Sequence, residues 1–416
     1  MMYNKKRFNN ISERIFIMDK LNIAVIGLGS RGHSIIEHLL LGMSKITITA
    51  VCDTYPDRAE RSAKTVFDKT GKMPFYTTDY KEILTRSDVD AVLVITAWES
   101  HVEIAIAAME SSKAVGMEVG GAYSVDECFA LVDAYERTKT PFMFLENCCY
   151  GRNEMMVMNM VKQGLFGKIV HCSGGYQHDL RDEIAKGNEN RHYRLRNYLS
   201  RNCENYPTHE LGPIAQVLDI NRGNRMVSLV SMASSSFGLN DFDSRTEKID
   251  PALITAEFAK GDVVNTLIKC AGGETIMLTL DTTLPRYYSR GFTVRGTKGM
   301  YTEDNHSIFI DGKEADSHHW NWRPRWGCAD DYRSEYEHPV WKEYLEKGVF
   351  GGHGGMDGLV YGKFFECLLE SKPMPIDVYD AAAWMAVTPL SEESIKKGSV
   401  SVDFPDFTHG EWKTRK

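Results

Sequence analysis

Three glycines, Gly27, Gly29 and Gly32, stand in GxGxxG spacing within the run IAVIGLGSRGHSII. Chemistry on a dinucleotide needs a tight turn at the first glycine, close backbone approach to a pyrophosphate at the second, and close helix–strand packing at the third. The helix that follows offers free N–H groups and a positive dipole end. Asp53 lies 21 residues beyond Gly32, at the end of the next apolar run, where a carboxylate accepts from a ribose 2′-hydroxyl. A carboxylate there disfavours a 2′-phosphate, so NAD is expected in preference to NADP. His and Cys residues nowhere have the spacing a zinc site requires, so no metal is expected. His178 and Asp179 are adjacent in YQHDLR; neighbours in a strand face opposite ways, so they are not read as a dyad.

The elements that must carry this turn are legible as periodicity. Apolar runs of strand length fall at Leu21–Ile26, Ile46–Cys52, Ala91–Thr96, Ala114–Met117 and Pro141–Leu145. Helix-like stretches lie between them, including His33–Leu41, Pro56–Thr70 and His101–Ser111. That alternation predicts βαβ units on a parallel sheet. The run AVLVIT shows no alternation, as expected of a strand covered on both faces. Beyond about residue 150 the pattern changes. A helix is predicted over Asn153–Gln163, then alternating segments: KIVHCSGGY, ALITAEFA, DVVNTLIKC, TIMLTLDTT, GFTVRGTKGMY and SIFIDG. Short turns between alternating strands predict an open, mostly antiparallel sheet. Helices are predicted over Met356–Ser371 and Val378–Val387. The expected fold class is therefore α/β followed by α+β: a Rossmann doubly wound parallel sheet at 21–148, then an open sheet with helices at 149–416, after an extension over 1–20.

Composition narrows the function classes. The chain has 416 residues, 43% hydrophobic and 25% charged, with a net charge of -8. This is ordinary globular composition with room for a large core. A mildly acidic balance gives no footprint for nucleic acid or an anionic membrane. No apolar run approaches the roughly 18 residues of a membrane span. The first 20 residues carry charge but no apolar core of a secretory signal. Nine cysteines without a CxxC read as reduced thiols in a cytoplasm-like compartment.

The GLGSRG turn, the Cys-Asp pair ending the second strand and the later antiparallel half resemble the glucose–fructose oxidoreductase/inositol dehydrogenase superfamily. That superfamily carries Glu-Lys-Pro where this chain reads GMEVGGA, so its catalytic lysine is missing after Glu118. Six further stretches appear in order: ENCCYGRNEMMVMNMVKQGLFGKI, GGYQHDLR, YRLRN, NYPTHELGPIAQVLDINRG, PRYYSRGFTVRGTKG and GHGGMD. Together they resemble glycoside hydrolase family 109, the NAD-dependent α-N-acetylgalactosaminidases, from about Leu21 to Pro389. In that family Glu-Val replaces Glu-Lys.

The resemblance implies cofactor contacts at Gly27, Gly29, Ser30, Arg31 and Gly32 in the pyrophosphate turn and at Asp53 on the ribose. It implies others at Trp98, Glu99, Ser100 and His101 in the loop after AVLVIT, and at Glu118, Val119 and Asn147 beside the nicotinamide. Implied substrate contacts are Tyr176, Arg194, Tyr206, Pro207, Thr208, His209 and Tyr288, with Tyr176 and His209 catalytic. Tyr287, beside Tyr288, stands where proline is expected. The implied reaction oxidises the sugar at C3 with NAD, removes the C2 proton, expels the C1 substituent, adds water and reduces C3, with retention. It has no displacement step, so it needs no paired carboxylates. A histidine takes and returns a proton near neutrality. A tyrosine serves as base when a nearby cation lowers its phenol, and Arg194 is the candidate for that or for holding substrate hydroxyls.

The implied partner is a small glycan or glycoconjugate, and a homo-oligomer is expected. Two other functions stay open on the residues alone: an NAD-dependent sugar dehydrogenase or epimerase, and a non-catalytic NAD- or sugar-binding protein. The stretch HHWNWRPRWGC, His318–Cys328, reads either as an aromatic sugar-stacking lid or as an ordered loop packed on the body or a subunit. His353 and Asp357, in GGHGGMD, are secondary candidates beside a flexible turn.

Overall fold

The computed structural model describes residues 20–247, 249–313 and 323–416. The expected extension, apart from Lys20, lies outside these residues, as do residues 318–322 of the aromatic loop. The chain forms two compact units. One holds the described residues to Val119 with Phe129–Asn147 and Val349–Ala381; the other holds Gly120–Cys128, Cys148–Gly348 and Ala382–Lys416. The boundary read from the sequence, between 148 and 149, follows chain order. The units do not, because the helix Met356–Leu369 packs on the first sheet. A Cβ on Gly116 would meet Phe364 at 3.1 Å, and Tyr361 bonds Glu118.

The first unit is built on β1 (Leu21–Ile26), β2 (Ile46–Cys52), β3 (Phe75–Thr77), β4 (Ala91–Val94), β5 (Ala114–Met117) and β6 (Phe142–Phe144). They pair in parallel in the order β3-β2-β1-β4-β5-β6. The order reverses between β1 and β4, and a crevice opens at the carboxyl ends of strands at such a switch point. The glycine turn follows β1 there and leads into the helix Ser30–His38. Gly27 has φ +97°, and a Cβ on it would stand 2.3 Å from the Ile95 carbonyl oxygen. A Cβ on Gly32 would stand 1.9 Å from Gly27 O. Only glycine closes this turn against β4.

The second unit carries β7 (Ile169–Gln177), β8 (Met226–Ala233), β9 (Val263–Cys270), β10 (Thr275–Asp281), β11 (Thr293–Gly296), β12 (Gly299–Thr302), β13 (Ser307–Ile310) and β14 (Val402–Asp403). Their order is β13-β12-β11-β7-β10-β9-β8-β14. All pairs are antiparallel except β7 with β10. Alternation along β9 buries Val264, Thr266, Ile268 and Cys270 and exposes Asn265, Leu267 and Lys269. Val170, Met232 and Met277 are also exposed, so the outer sheet face is partly apolar. No helix among the described residues is long and apolar enough to cross a membrane.

One expected strand is absent, and three strands, β3, β8 and β14, are unexpected. ALITAEFA is not a strand. Asp250 accepts from Ala252 N to start a 3-10 turn over Pro251–Leu253, and the Asn240 amide reaches the carbonyls of Leu253, Ile254 and Ala256. Those carbonyls are then taken, and a strand ladder would have needed them. β8 escaped a period-two reading because its register with β9 shifts between Met226 and Ser228.

Helix Thr208–Val217 packs against β7, and Gly174 makes this possible. A Cβ there would lie 1.8 Å from Glu210 Cγ and 2.9 Å from its Cβ. Gly174→Ala is therefore expected to overpack this contact and destabilise the protein by about 1–3 kcal/mol, read as a lower urea midpoint with unchanged slope. An unchanged midpoint would show that the helix is not held at this distance.

Candidate active site

In the second unit, β7 delivers Tyr176 near its end, and the chain continues to His178. Two residues apart in extended chain, the two side chains share a face. Tyr176 Oη and His178 Nδ1 are 2.9 Å apart. Opposite, helix Thr208–Val217 begins after Pro207, so Thr208 and His209 occupy its first turn. Tyr206 Oη lies 3.4 Å from His209 Nε2. The Tyr176 ring packs on Tyr206 at 4.7 Å and edge-on to His209 at 5.4 Å and Tyr288 at 6.3 Å between centroids. Arg194, at the start of helix Arg194–Ser200, sets its guanidinium 5.9 Å from the Tyr176 ring centre and 5.1 Å from that of Tyr206.

Backbone pairing fixes these positions. Gln177 and Ser289 exchange both backbone hydrogen bonds, which seats Tyr288 5.1 Å from the His178 ring at 88°. Tyr287, by contrast, is 95% exposed. Glu204 holds the Tyr206–His209 segment from behind. It accepts from Tyr206 N, its own N–H donates to Ser391 Oγ, and its carbonyl accepts from Thr388. Burial pushes its carboxyl up to about 7, against the pull of Lys260. Beside Tyr288, buried Arg290 pairs with Glu154 and lies 4.0 Å from Glu210.

All the residues expected to contact substrate thus converge: Tyr176, Arg194, Tyr206, Pro207, Thr208, His209 and Tyr288. Pro207 and Thr208 are buried and serve the helix start. The electrostatics correct one expectation. Burial raises the Tyr176 phenol, and Arg194 pulls the other way without overcoming it. Arg194 also faces Glu183, with Nε 2.7 Å from Oε1, so its charge is shared. His178 lies outside the residues expected at the site, and its sequence neighbour Asp179 does not share its partner. Asp179 turns to Arg181, at 2.8 and 2.7 Å. The period-two offset from Tyr176 was the signal that could have found His178.

In the first unit, no side chain among the described residues caps the helix Ser30–His38, and its first turn holds no acid. A Cβ on Gly29 would meet only Arg58 Nη1, at 3.6 Å, so among the described residues nothing demands glycine there. That open backbone and uncapped helix end suit a pyrophosphate. Asp53 accepts from Leu28 N at 2.7 Å and Tyr55 N at 2.9 Å, which leaves lone pairs for a ribose hydroxyl. The residues present therefore fit a dinucleotide.

Arg31 belongs to this turn through its backbone, but its side chain goes elsewhere. Its guanidinium bonds Glu118 Oε1 at 2.9 and 3.1 Å and both Asp357 oxygens at 2.7 and 2.9 Å. Asn147 donates to Asp357 Oδ1 at 2.8 Å, His353 Nδ1 lies 2.9 Å from Oδ2, and Tyr361 donates to Glu118 at 2.8 Å. Glu118 and Asn147 thus join one network with His353 and Asp357, and Tyr361 is the member the sequence did not reveal. Trp98, Glu99, Ser100 and His101 are not a loop. They form the first turn of helix Trp98–Glu110, because β4 ends at Val94 and Ala97 caps the helix. Ser100 bonds Thr96 and Ala97 O, and buried His101 bonds Thr96 O at 2.9 Å. Trp98 and Val119 are buried, and Glu99 is exposed. Of the aromatic loop, Trp326 is exposed, whereas Cys328 is buried and donates to Ile308 O.

Comparison with known proteins divides the chain in sequence order. Residues 150–414 match the family model "Glycosyl hydrolase 109, C-terminal domain", and residues 21–145 match "Oxidoreductase family, NAD-binding Rossmann fold". An alpha-N-acetylgalactosaminidase of Tannerella forsythia is 38% identical over 94% of this chain and 87% of its own length. A glycosyl hydrolase family 109 protein of Solibacter usitatus is 41% identical over 95% and 90%. Among solved structures, levoglucosan dehydrogenase in complex with NADH superposes with a TM-score of 0.67 at 18% identity, covering 93% of this chain and all of that one. Myo-inositol 2-dehydrogenase of Lactobacillus plantarum gives 0.64 at 14%, with the same coverage. At these identities the two structures speak for the fold.

The Arg31 network sets an acid limit. Burial alone would raise the Asp357 carboxyl, but hydrogen bonds from His353 and Arg31, with their charge, hold it well below the usual range. A depressed carboxylate stabilises the fold fully above its unfolded value, near 3.9, and that stabilisation is lost as pH falls toward the folded value. Asp357→Asn should cost roughly 2–3 kcal/mol at neutral pH. Its deficit should shrink below about pH 4. Denaturant titrations from pH 3 to 7 read this directly, and a deficit constant across that range would refute it.

Proposed function

Because the chain belongs to glycosyl hydrolase family 109, we propose that it is an NAD-dependent glycosidase releasing terminal α-linked N-acetylgalactosamine from a small glycan or glycoconjugate, with retention. The observation that carries this reading is the convergence of Tyr176, Arg194, Tyr206, His209 and Tyr288, from four separate stretches of chain, into one aromatic cluster. The turn Gly27–Gly32 would hold the pyrophosphate and Asp53 the ribose 2′-hydroxyl. The helix turn Trp98–His101, with Glu118, Val119 and Asn147, would line the rest of the cofactor. NAD, when bound, supplies hydride removal and return at the sugar's C3, and the transient ketone acidifies the C2 proton.

What remains for the protein is to orient the sugar and move two protons, one at the C3 hydroxyl and one at C2. Tyr176 and His209 are the proposed acid–base pair. Aromatic faces at Tyr206 and Tyr288 suit a sugar ring, and Arg194 suits its hydroxyl or acetamide oxygens. In an α-linked unit the C1 oxygen and C2 hydrogen are axial on opposite faces, so the C2 base stands across the ring from the leaving oxygen. Water returning to the vacated face gives retention. The partly apolar outer face of the second sheet supports a homo-oligomer.

A screen of chromogenic α- and β-glycosides without added cofactor tests the activity. Release from the α-N-acetylgalactosaminide is expected; NADH accumulating with free sugar and no aglycone release would make the chain a dehydrogenase instead. Tyr176→Phe and His209→Ala should each slow turnover about 100-fold or more while NAD released on denaturation stays stoichiometric. Near-normal turnover in both would overturn the pair. In deuterated water the released sugar should carry deuterium at C2, and substrate deuterated at C3 should react more slowly. Single turnovers that show neither a C3 isotope effect nor any transient NADH would count against hydride chemistry at that carbon.

A further inference from the structure

Tyr176 poses a chemical problem for its own proposed role. A phenol acts as a base only once its own proton is gone, and burial makes that ionisation harder here. Arg194, the one cation facing its ring in the described structure, is shared with Tyr206 and Glu183. The Tyr176 hydroxyl is instead hydrogen-bonded, at 2.9 Å, to a side chain that can take up a proton, the imidazole of His178. That imidazole is fixed on three sides. It is edge-on to Tyr176 at 5.6 Å and 84°, edge-on to Tyr288 at 5.1 Å and 88°, and tied to β7 two residues from its partner.

We propose that His178 is the positioning residue through which Tyr176 works: as the Tyr176 oxygen takes a proton from the sugar, its own proton passes to His178 Nδ1. The step balances. One substrate bond to hydrogen breaks and leaves its electron pair on the sugar, a new Tyr176 O–H forms, the old one breaks, and an Nδ1–H forms to give imidazolium. The reverse transfer returns the proton to the sugar later in the cycle. This rests on the reading of Tyr176 as a base. It changes what that base requires: a neutral acceptor behind it, rather than a phenolate in front. The neutral tautomer with hydrogen on Nε2 presents Nδ1 as that acceptor.

The surroundings keep the acceptor neutral. Burial, then the charge of Arg194, lower the His178 imidazole, and His209 acts in the same direction. Glu183, on helix Arg181–Ala185, and adjacent Asp179 pull upward without prevailing. Tyr176 and Tyr288 are the other titratable groups packed on the ring among the described residues. The acid limb of turnover contributed by His178 should therefore fall below the ordinary histidine value of about 6.5. Activity is present above that limb and is lost as pH drops through it, when His178 already carries the proton it must receive.

His178→Gln keeps an acceptor for the Tyr176 hydroxyl but cannot take its proton. Measured on the NAD-containing protein with a chromogenic α-N-acetylgalactosaminide, its kcat should fall about 100-fold, the scale of a lost proton acceptor, with KM and bound NAD little changed. Its rate should no longer level off above the acid limb but climb with pH toward the raised phenol range, where Tyr176 ionises unaided. A merely structural role would not produce that change of profile. In a Tyr176→Phe background the same substitution should add little, because the two side chains act as one unit. Imidazole added to His178→Ala should restore part of the rate, which covers the case of a Gln variant that folds poorly. Retention of a third or more of wild-type kcat by His178→Gln with the wild-type profile would overturn the proposal. So would a full second loss in the Tyr176→Phe background. Wild type that cleaves while Tyr176→Phe does not, with His178→Gln unimpaired, rejects the relay and leaves the glycosidase reading intact. Wild type releasing no aglycone at all sinks both.

Discussion

A phenol hydroxyl buried among aromatic rings has to find a hydrogen-bond partner inside the protein, and for Tyr176 that partner is His178. Much of the second unit is arranged around this pair. β7 must stay extended through Gln177 so that both side chains leave on one face. The Gln177–Ser289 pairing brings Tyr288 against the imidazole, and Gly174 lets helix Thr208–Val217 approach until His209 meets the Tyr176 ring. The result is an aromatic cluster with two imidazoles, His178 and His209, and the cation of Arg194.

The same rule, that buried polar groups must be paired, organises the first unit around Arg31. Asp357 is almost wholly buried as a carboxylate, which is sustainable only because Arg31 meets it with two nitrogens and Asn147 and His353 supply further partners. Glu118 takes the other side of the guanidinium and the Tyr361 hydroxyl. The next position is the buried valine Val119. The turn read as a cofactor cradle is anchored through Arg31 to helix Met356–Leu369, more than 300 residues away along the chain: the Arg31–Asp357 bonds span 326 positions.

Features that rest on local periodicity and local sterics were legible in the residues alone. Mainly apolar runs marked β1, β2 and β5 to the residue, and Pro56 with Gly71 bracketed a helix whose ends are set by proline and a left-handed cap. The GxGxxG spacing disclosed its turn because Gly27 and Gly32 collide with their own neighbours if given a Cβ. Tyr176, Arg194, Tyr206, His209 and Tyr288 were nominated by the family that the motifs beyond residue 150 resemble, and periodicity alone does not single them out. Tertiary structure decided everything that depends on which distant groups meet. Asn240 overrides the strand pattern of ALITAEFA by claiming its carbonyls, and Asp357 reaches Arg31 across most of the chain. His178 turns to Tyr176 while Asp179 turns to Arg181. Whether a buried tyrosine ionises or hands its proton on is fixed by desolvation and by the partner at its oxygen. Desolvation sums over every neighbour folding brings near, so it is written in no single stretch of residues.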